Sequence, residues 1–288
     1  MPRKPKMTED ERRAYSAKMR DELETVMDRA YGAMVASEEF WATVLRTAAT
    51  LSDRSPVNSI AITAQCPHAT RVLSVGDWRK VGRFPVKGST SIRIWTPIKR
   101  RSESAQDATT AIADGGQREA VGDAADGGER RVSGYKAGPV FDISQTDGDA
   151  YEPSAAVRFP VEGIRAALDR QAQEPGGGLA SSGEDVCVVR LHLYEAASRS
   201  ISEAEAPLFG QREAEIASAA HVAALILGIA PGPAVIPPLK GIITRGKKPP
   251  VHESAVRVIE TGRAVASAAA KLCRELTPAG CPEPNNMV

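Results

Sequence analysis

The chain has 288 residues, 37 Lys or Arg against 36 Asp or Glu, a formal net charge of +1, and 42% apolar residues. That length supports two modest domains or one large one with a buried core, in a composition ordinary for a soluble globular protein. The near-zero balance excludes a chain that is basic throughout, so any attraction to a polyanion must be local. The four cysteines, Cys66, Cys187, Cys273 and Cys281, stand far apart with no C-x-x-C pair. They read as reduced thiols, not zinc ligands or a disulfide framework. The N-terminal MPRKPKMTEDERR has no apolar run behind it, and the longest apolar run, about His221 to Ala230, is too short to span a bilayer. No membrane contact is expected, and the expected location is the cytoplasm.

Residues 8 to 51 predict helix. Thr8 is a candidate N-cap followed by Glu9, Asp10 and Glu11, acids that suit the positive end of a helix. Leu23, Val26, Met27, Ala30 and Met34 recur at helical spacing. Gly32 and Ser37 predict a break, with Ser37 capping a second helix that buries Phe40, Trp41, Val44, Leu45 and Ala48. After a turn at Pro56, Asn58 to Gln65 predicts a short helix.

From Thr70 to Arg101 the pattern changes to strands and turns. The stretch holds nine cations (Arg71, Arg79, Lys80, Arg83, Lys87, Arg93, Lys99, Arg100, Arg101) against one acid, Asp77, and includes Trp78 and Trp95. Cations that follow phosphates and flat rings on which bases stack are what a single-stranded nucleic-acid site needs. A basic solvated face over two core tryptophans is the plainer reading. From Ser91 the alternation sets Ile92, Ile94, Thr96 and Ile98 on one side and Arg93, Trp95 and Pro97 on the other, as a half-buried strand would.

The segment 101 to 131 is polar, with almost no large apolar residue, and reads as a flexible hairpin insertion. Strand character resumes from Val132 to Ile143. Beyond Gly148, Val157 to Gln173 predicts an amphipathic helix, Asp185 to Leu193 an apolar strand, and 211 to 228 and His252 to Leu276 two helices; 277 to 288 reads as a tail. The fold class is therefore α+β: N-terminal helices packed on a small antiparallel sheet, followed by a mostly helical second domain. The expected domains are 8 to 148, with the insertion inside it, and 155 to 276.

Several spaced motifs carry a resemblance. Asn58 in SPVNSIAI, PHATRV from Pro67, W-R-K-V-G-R from Trp78, Lys87-Gly88, a strand ending at Pro97, and VFDISQTDG from Val140 to Gly148 together resemble the N-terminal single-stranded-DNA-binding domain of the ArdC-like antirestriction proteins. The resemblance covers about Ser37 to Gly148. It implies a DNA-protecting protein of a mobile element, plasmid or phage, or of its host. It also implies DNA contacts at Asn58, Arg71, Trp78, Arg79, Lys80, Arg83, Lys87, Arg93, Trp95 and Lys99. Asn58 is equally readable as a helix cap. Where the family usually has Glu and a second Lys after Lys-Gly, this chain has Ser89 and Thr90, which lowers the charge at that turn.

Many members of that family continue into a zinc-peptidase-like domain with an H-E-x-x-H helix, whose two histidines one turn apart hold a metal beside an activating glutamate. This chain has no H-E-x-x-H; its histidines are His68, His192, His221 and His252. Tyr194-Glu195-Ala196-Ala197-Ser198 is a local echo without the two ligands. The second region thus reads as degenerate, with no catalytic residue, metal or cofactor expected. One rival is a metal-dependent peptidase-like enzyme using His192, Glu195, Glu213 and His221. Another is an interaction module whose C-terminal helices bind a protein partner.

Overall fold

The computed structural model describes residues 7–101, 130–151, 159–173, 185–242 and 248–276. Nearly all of the polar insertion and the whole C-terminal tail lie outside them.

Helix α1 (Glu9–Ala36) begins with a reciprocal capping box: the Thr8 hydroxyl accepts from Glu11 N–H at 3.2 Å, and Thr8 N–H donates to the Glu11 carboxylate at 2.7 Å. Its buried residues, Met19, Leu23, Met27, Ala30, Tyr31 and Met34, form one stripe. Ser37 ends this helix and caps α2 (Glu38–Thr50), its hydroxyl accepting from Phe40 N–H. Ser55 caps α3 (Pro56–Gln65), where Pro56 occupies the first turn and needs no N–H partner.

Two short elements follow, β1 (Val72–Leu73) and α4 (Val75–Lys80), then β2 (Arg83–Pro85), the long hairpin strands β3 (Ile92–Arg101) and β4 (Arg130–Asp142), a 3-10 turn at Ile143–Gln145, and β5 (Thr146–Gly148). All pairings are antiparallel: β4 lies between β1 and β3, while β2 pairs with β5. The β3–β4 ladder runs from Ile92 opposite Val140 to Arg101 opposite Arg130, with a register shift between Ile98 and Lys99.

The remaining helices are α5 (Val161–Gln173), α6 (Asp185–Ser200), α7 (Gln211–Ile226) and α8 (Pro250–Leu276). Helix α6 corrects the strand expected over Asp185 to Leu193. Val188, Val189, His192, Leu193 and Ala197 are buried at spacings of one, three and four, so Val188 and Val189 of the run Val186-Cys187-Val188-Val189 belong to a helical stripe, with Cys187 exposed, on a helix that packs against α5, α7 and α8. Helices α7 and α8 approach closely at Gly262, where any Cβ would lie 2.6 Å from the Ala219 carbonyl and from Val222.

Two apolar clusters result. The smaller joins Leu51, Ile62, Ala69 and Val72 to Ile92, Ile94 and Val140 on one face of the sheet. The larger runs from Leu23 on α1 through Trp41, Ile60, Ile164 and Leu193 to Cys273 on α8. It thus draws on helices from both sides of the sheet region in sequence. Polar side chains brace the same junction. Trp41 Nε1 donates to Ser218 Oγ at 3.0 Å. The Arg263 guanidinium of α8 donates to the carbonyls of Ala48, Leu51 and Arg54, closing the C-terminal end of α2. Burial alone lowers the pKa of this arginine, while Asp53 and Glu260 oppose the shift.

Candidate nucleic-acid interface

The basic stretch is built around a polar knot supplied by the segment Asp142 to Thr146. Asp142 is buried. Its Oδ1 accepts from the N–H groups of Thr70 and Arg71 at 2.8 and 3.0 Å, and its Oδ2 accepts from the N–H and hydroxyl of Ser144. Gln145 accepts from Asp142 N–H and donates to the Thr90 carbonyl at 2.7 Å, while its own carbonyl accepts from Val86 N–H at 2.9 Å. These bonds hold the turn 86 to 90, where Gly88 adopts φ +94°, a region that favours glycine. Lys87 stands exposed on that turn.

On α4, Ser74 caps the helix by accepting from Asp77 N–H and donating to the Asp77 carboxylate at 2.7 Å. That bond, with help from Lys80 at 3.0 Å, holds the Asp77 carboxyl below its ordinary pKa. Arg79 and Lys80 are exposed at the end of α4. Trp78 is not: its ring is fully buried, Nε1 donates to the Phe141 carbonyl at 2.9 Å, and the ring makes a T-shaped contact with Tyr151, centroids 5.4 Å apart. A ring so enclosed offers no platform to a base. Arg83 is likewise committed, donating to the hydroxyl and carbonyl of Thr146 at 3.0 and 2.8 Å and to the Asp149 carbonyl.

Asn58 and Gln65 face the outer edge of β3. Asn58 accepts from Trp95 N–H at 2.8 Å and donates to the Trp95 carbonyl at 2.9 Å; Gln65 makes the same pair with Arg93 at 2.9 and 2.8 Å. Two amides on α3 thereby act as rungs on an edge strand whose polar groups would otherwise lack partners. Arg93 and Trp95 do share the face opposite Ile92 and Ile94. That face is partly covered: Trp95 packs against the larger core cluster, and Arg93 reaches the Tyr15 hydroxyl of α1 at 3.4 Å.

Arg71 is half-buried, with its Nε enclosed and unpartnered. Lys99 lies in register with Val132, and its side chain is outside what the structure describes. Among the described side chains of the stretch 70 to 101, the cations brought into the open are therefore Arg79, Lys80 and Lys87. Lys136, Phe84 and Tyr135 join them as exposed residues not singled out from sequence; Phe84 is 54% and Tyr135 63% exposed. The sequences of β3 and β4 add seven cations (Arg93, Lys99, Arg100, Arg101, Arg130, Arg131, Lys136) with no acid before Asp142. The backbone register sets Arg100 across from Arg131 and Arg101 across from Arg130.

The histidines of the second half have partners of their own. His192 is buried beside Asp169 at 3.0 Å and Glu195 at 3.8 Å. His221 Nδ1 meets the Gly232 carbonyl at 2.7 Å, and burial lowers its pKa. The Lys248 ammonium can only donate, at 3.3 Å to His252 Nε2, so the imidazole proton lies on Nδ1, donated to the Tyr31 oxygen at 2.6 Å. Glu213 is exposed, whereas Glu215 is buried in a two-point ion pair with Arg257 at 2.7 and 3.0 Å. Among the described residues no three His, Cys, Asp or Glu are grouped to hold a metal ion. No helix among them is long and apolar enough to cross a membrane.

No protein-family model and no curated protein matches the chain. Among solved structures, it is similar to the metal-free crystal structure of the antirestriction protein ArdC from the R388 plasmid. That alignment has 12% identity and a TM-score of 0.45, and covers 90% of this chain and 98% of that one.

Proposed function

We propose that this chain binds single-stranded DNA without strong sequence preference and protects it, in the manner of an antirestriction protein of a mobile element or its host, in the cytoplasm. The observation that carries this reading is the segregation of charge. In a chain of net charge +1, the stretch 70 to 101 carries nine cations and one acid, and Arg79, Lys80 and Lys87 on it are exposed. Neutralising phosphates releases their counterions, so such a surface favours a polyanion at low salt. The motif series from Asn58 to Gly148 supplies the antirestriction part of the proposal. Of the residues put forward from sequence, Arg79, Lys80 and Lys87 carry the phosphate contacts, aided by Arg93 and Lys99. Asn58, Trp78 and Arg83 build the surface without touching DNA. The domain 8 to 148 is the binding unit in this reading, and the region 155 to 276 has no hydrolytic role.

The test is a fluorescence-anisotropy titration of the full chain with labelled single-stranded and double-stranded oligonucleotides. Tighter binding to the single strand is expected. Equal or absent binding to the single strand would remove the reading and favour the C-terminal helices as a protein-interaction module.

A further inference from the structure

A strand bound without sequence preference needs a stacking platform as well as cations, and the two tryptophans of the basic stretch do not supply one. Trp78 is enclosed and Trp95 is packed against the core. Among the described residues of the stretch 70 to 101, the exposed aromatic ring is Phe84, 54% exposed at the centre of β2, with Val81 and Val86 exposed on either side. Arg79 and Lys87, also exposed, bracket the same short stretch.

We propose that Phe84 is the platform on which an unpaired base of single-stranded DNA stacks, while Arg79 and Lys87 hold the flanking phosphates. This rests on the single-strand reading above and locates its base contact. Three observations favour a base over other occupants. The ring stands on a braced strand: Phe84 pairs with Asp147, Arg83 beside it is tied to Thr146 and Asp149, and Val86 N–H is held by Gln145. A platform fixed in advance loses little freedom on binding. The combination of apolar ring and cations matches a ligand that is flat and apolar in one part and anionic in the next; a duplex keeps its base faces stacked inside. Finally, Asp147 lies across the ladder from Phe84. Its carboxylate repels phosphate beside the ring, which leaves the phosphates of the strand to the exposed cations Arg79 and Lys87.

The experiment compares the full-length wild type with Phe84→Ala and Phe84→Trp, measuring affinity for a labelled oligo-dT at several salt concentrations and the melting temperature of each protein. Phe84→Ala should bind roughly ten-fold more weakly, with an unchanged melting temperature and salt slope, and Phe84→Trp should restore affinity. Wild-type affinity in Phe84→Ala would overturn the placement and leave the single-strand reading intact. A weakened Phe84→Ala whose salt slope falls in proportion would also overturn it, because the effect would then lie with the cations and not the ring. If the wild type fails to bind the oligonucleotide, both readings fall together.

Discussion

The side chain of Asn58 exchanges two hydrogen bonds with the backbone of Trp95, at 2.8 and 2.9 Å, across 37 residues of sequence. It is the only pairing for those two backbone groups among the described residues, since β3 is an edge strand on that side. Asn58→Ala leaves both groups unpaired at a half-buried position and should destabilise the fold by about 2 kcal/mol. Urea denaturation measures the loss. The affinity of the molecules that remain folded should be unchanged, which separates this role from a DNA contact.

Trp78 should behave in the same way, with a larger effect. Its ring is fully buried and its Nε1 is bonded to Phe141, so Trp78→Ala should cost about 3–5 kcal/mol. Trp78→Phe should cost less and leave DNA affinity intact at temperatures where the protein is folded, as measured by anisotropy.

Arg263 joins the two halves of the chain. Its guanidinium serves three carbonyls at the end of α2 and the turn after it, and a lysine cannot reproduce that fork. Both Arg263→Lys and Arg263→Met should lower stability, the latter by on the order of 2–4 kcal/mol. In both variants the transitions followed by tryptophan fluorescence and by circular dichroism should remain coincident.

Stability should fall on mild acidification. Burial lowers the pKa of both His221 and His252, and the neighbouring Lys248 lowers the latter further. A histidine depressed in the folded state contributes its full stability above the unfolded pKa of about 6.5 and loses it as pH drops from there toward the folded value. The urea midpoint should therefore be lower at pH 5.5 than at pH 7.5, and a variant with both histidines changed to Gln should show a smaller difference.

Much of the fold was legible because local signals and packing agree. Thr8 and Ser37 sit as caps just before apolar stripes of helical period, and both helices begin there. The alternation from Ile92 does mark a strand with Ile92 and Ile94 in a core. Misreading α6 had a physical cause: four consecutive Val or Cys residues suit a strand, and only burial against α5, α7 and α8 settles the period. The site was less legible. Arg83 and Lys87 are cations four residues apart in one basic run, yet one is spent on Thr146 and Asp149, 63 and 66 residues away, while the other stands exposed. Likewise nothing local distinguishes buried Trp78 from exposed Phe84, because the difference is made by β4 and β5 arriving from beyond the insertion.

The salt dependence of single-strand binding tests the central claim most directly. The logarithm of the wild-type affinity for a labelled oligonucleotide, plotted against the logarithm of salt concentration, should fall steeply. In a variant carrying Arg79→Ala and Lys87→Ala that slope should shrink by about 1.4, or roughly 0.7 for each phosphate that is no longer neutralised. A variant slope equal to that of the wild type would contradict the assignment of this surface to DNA.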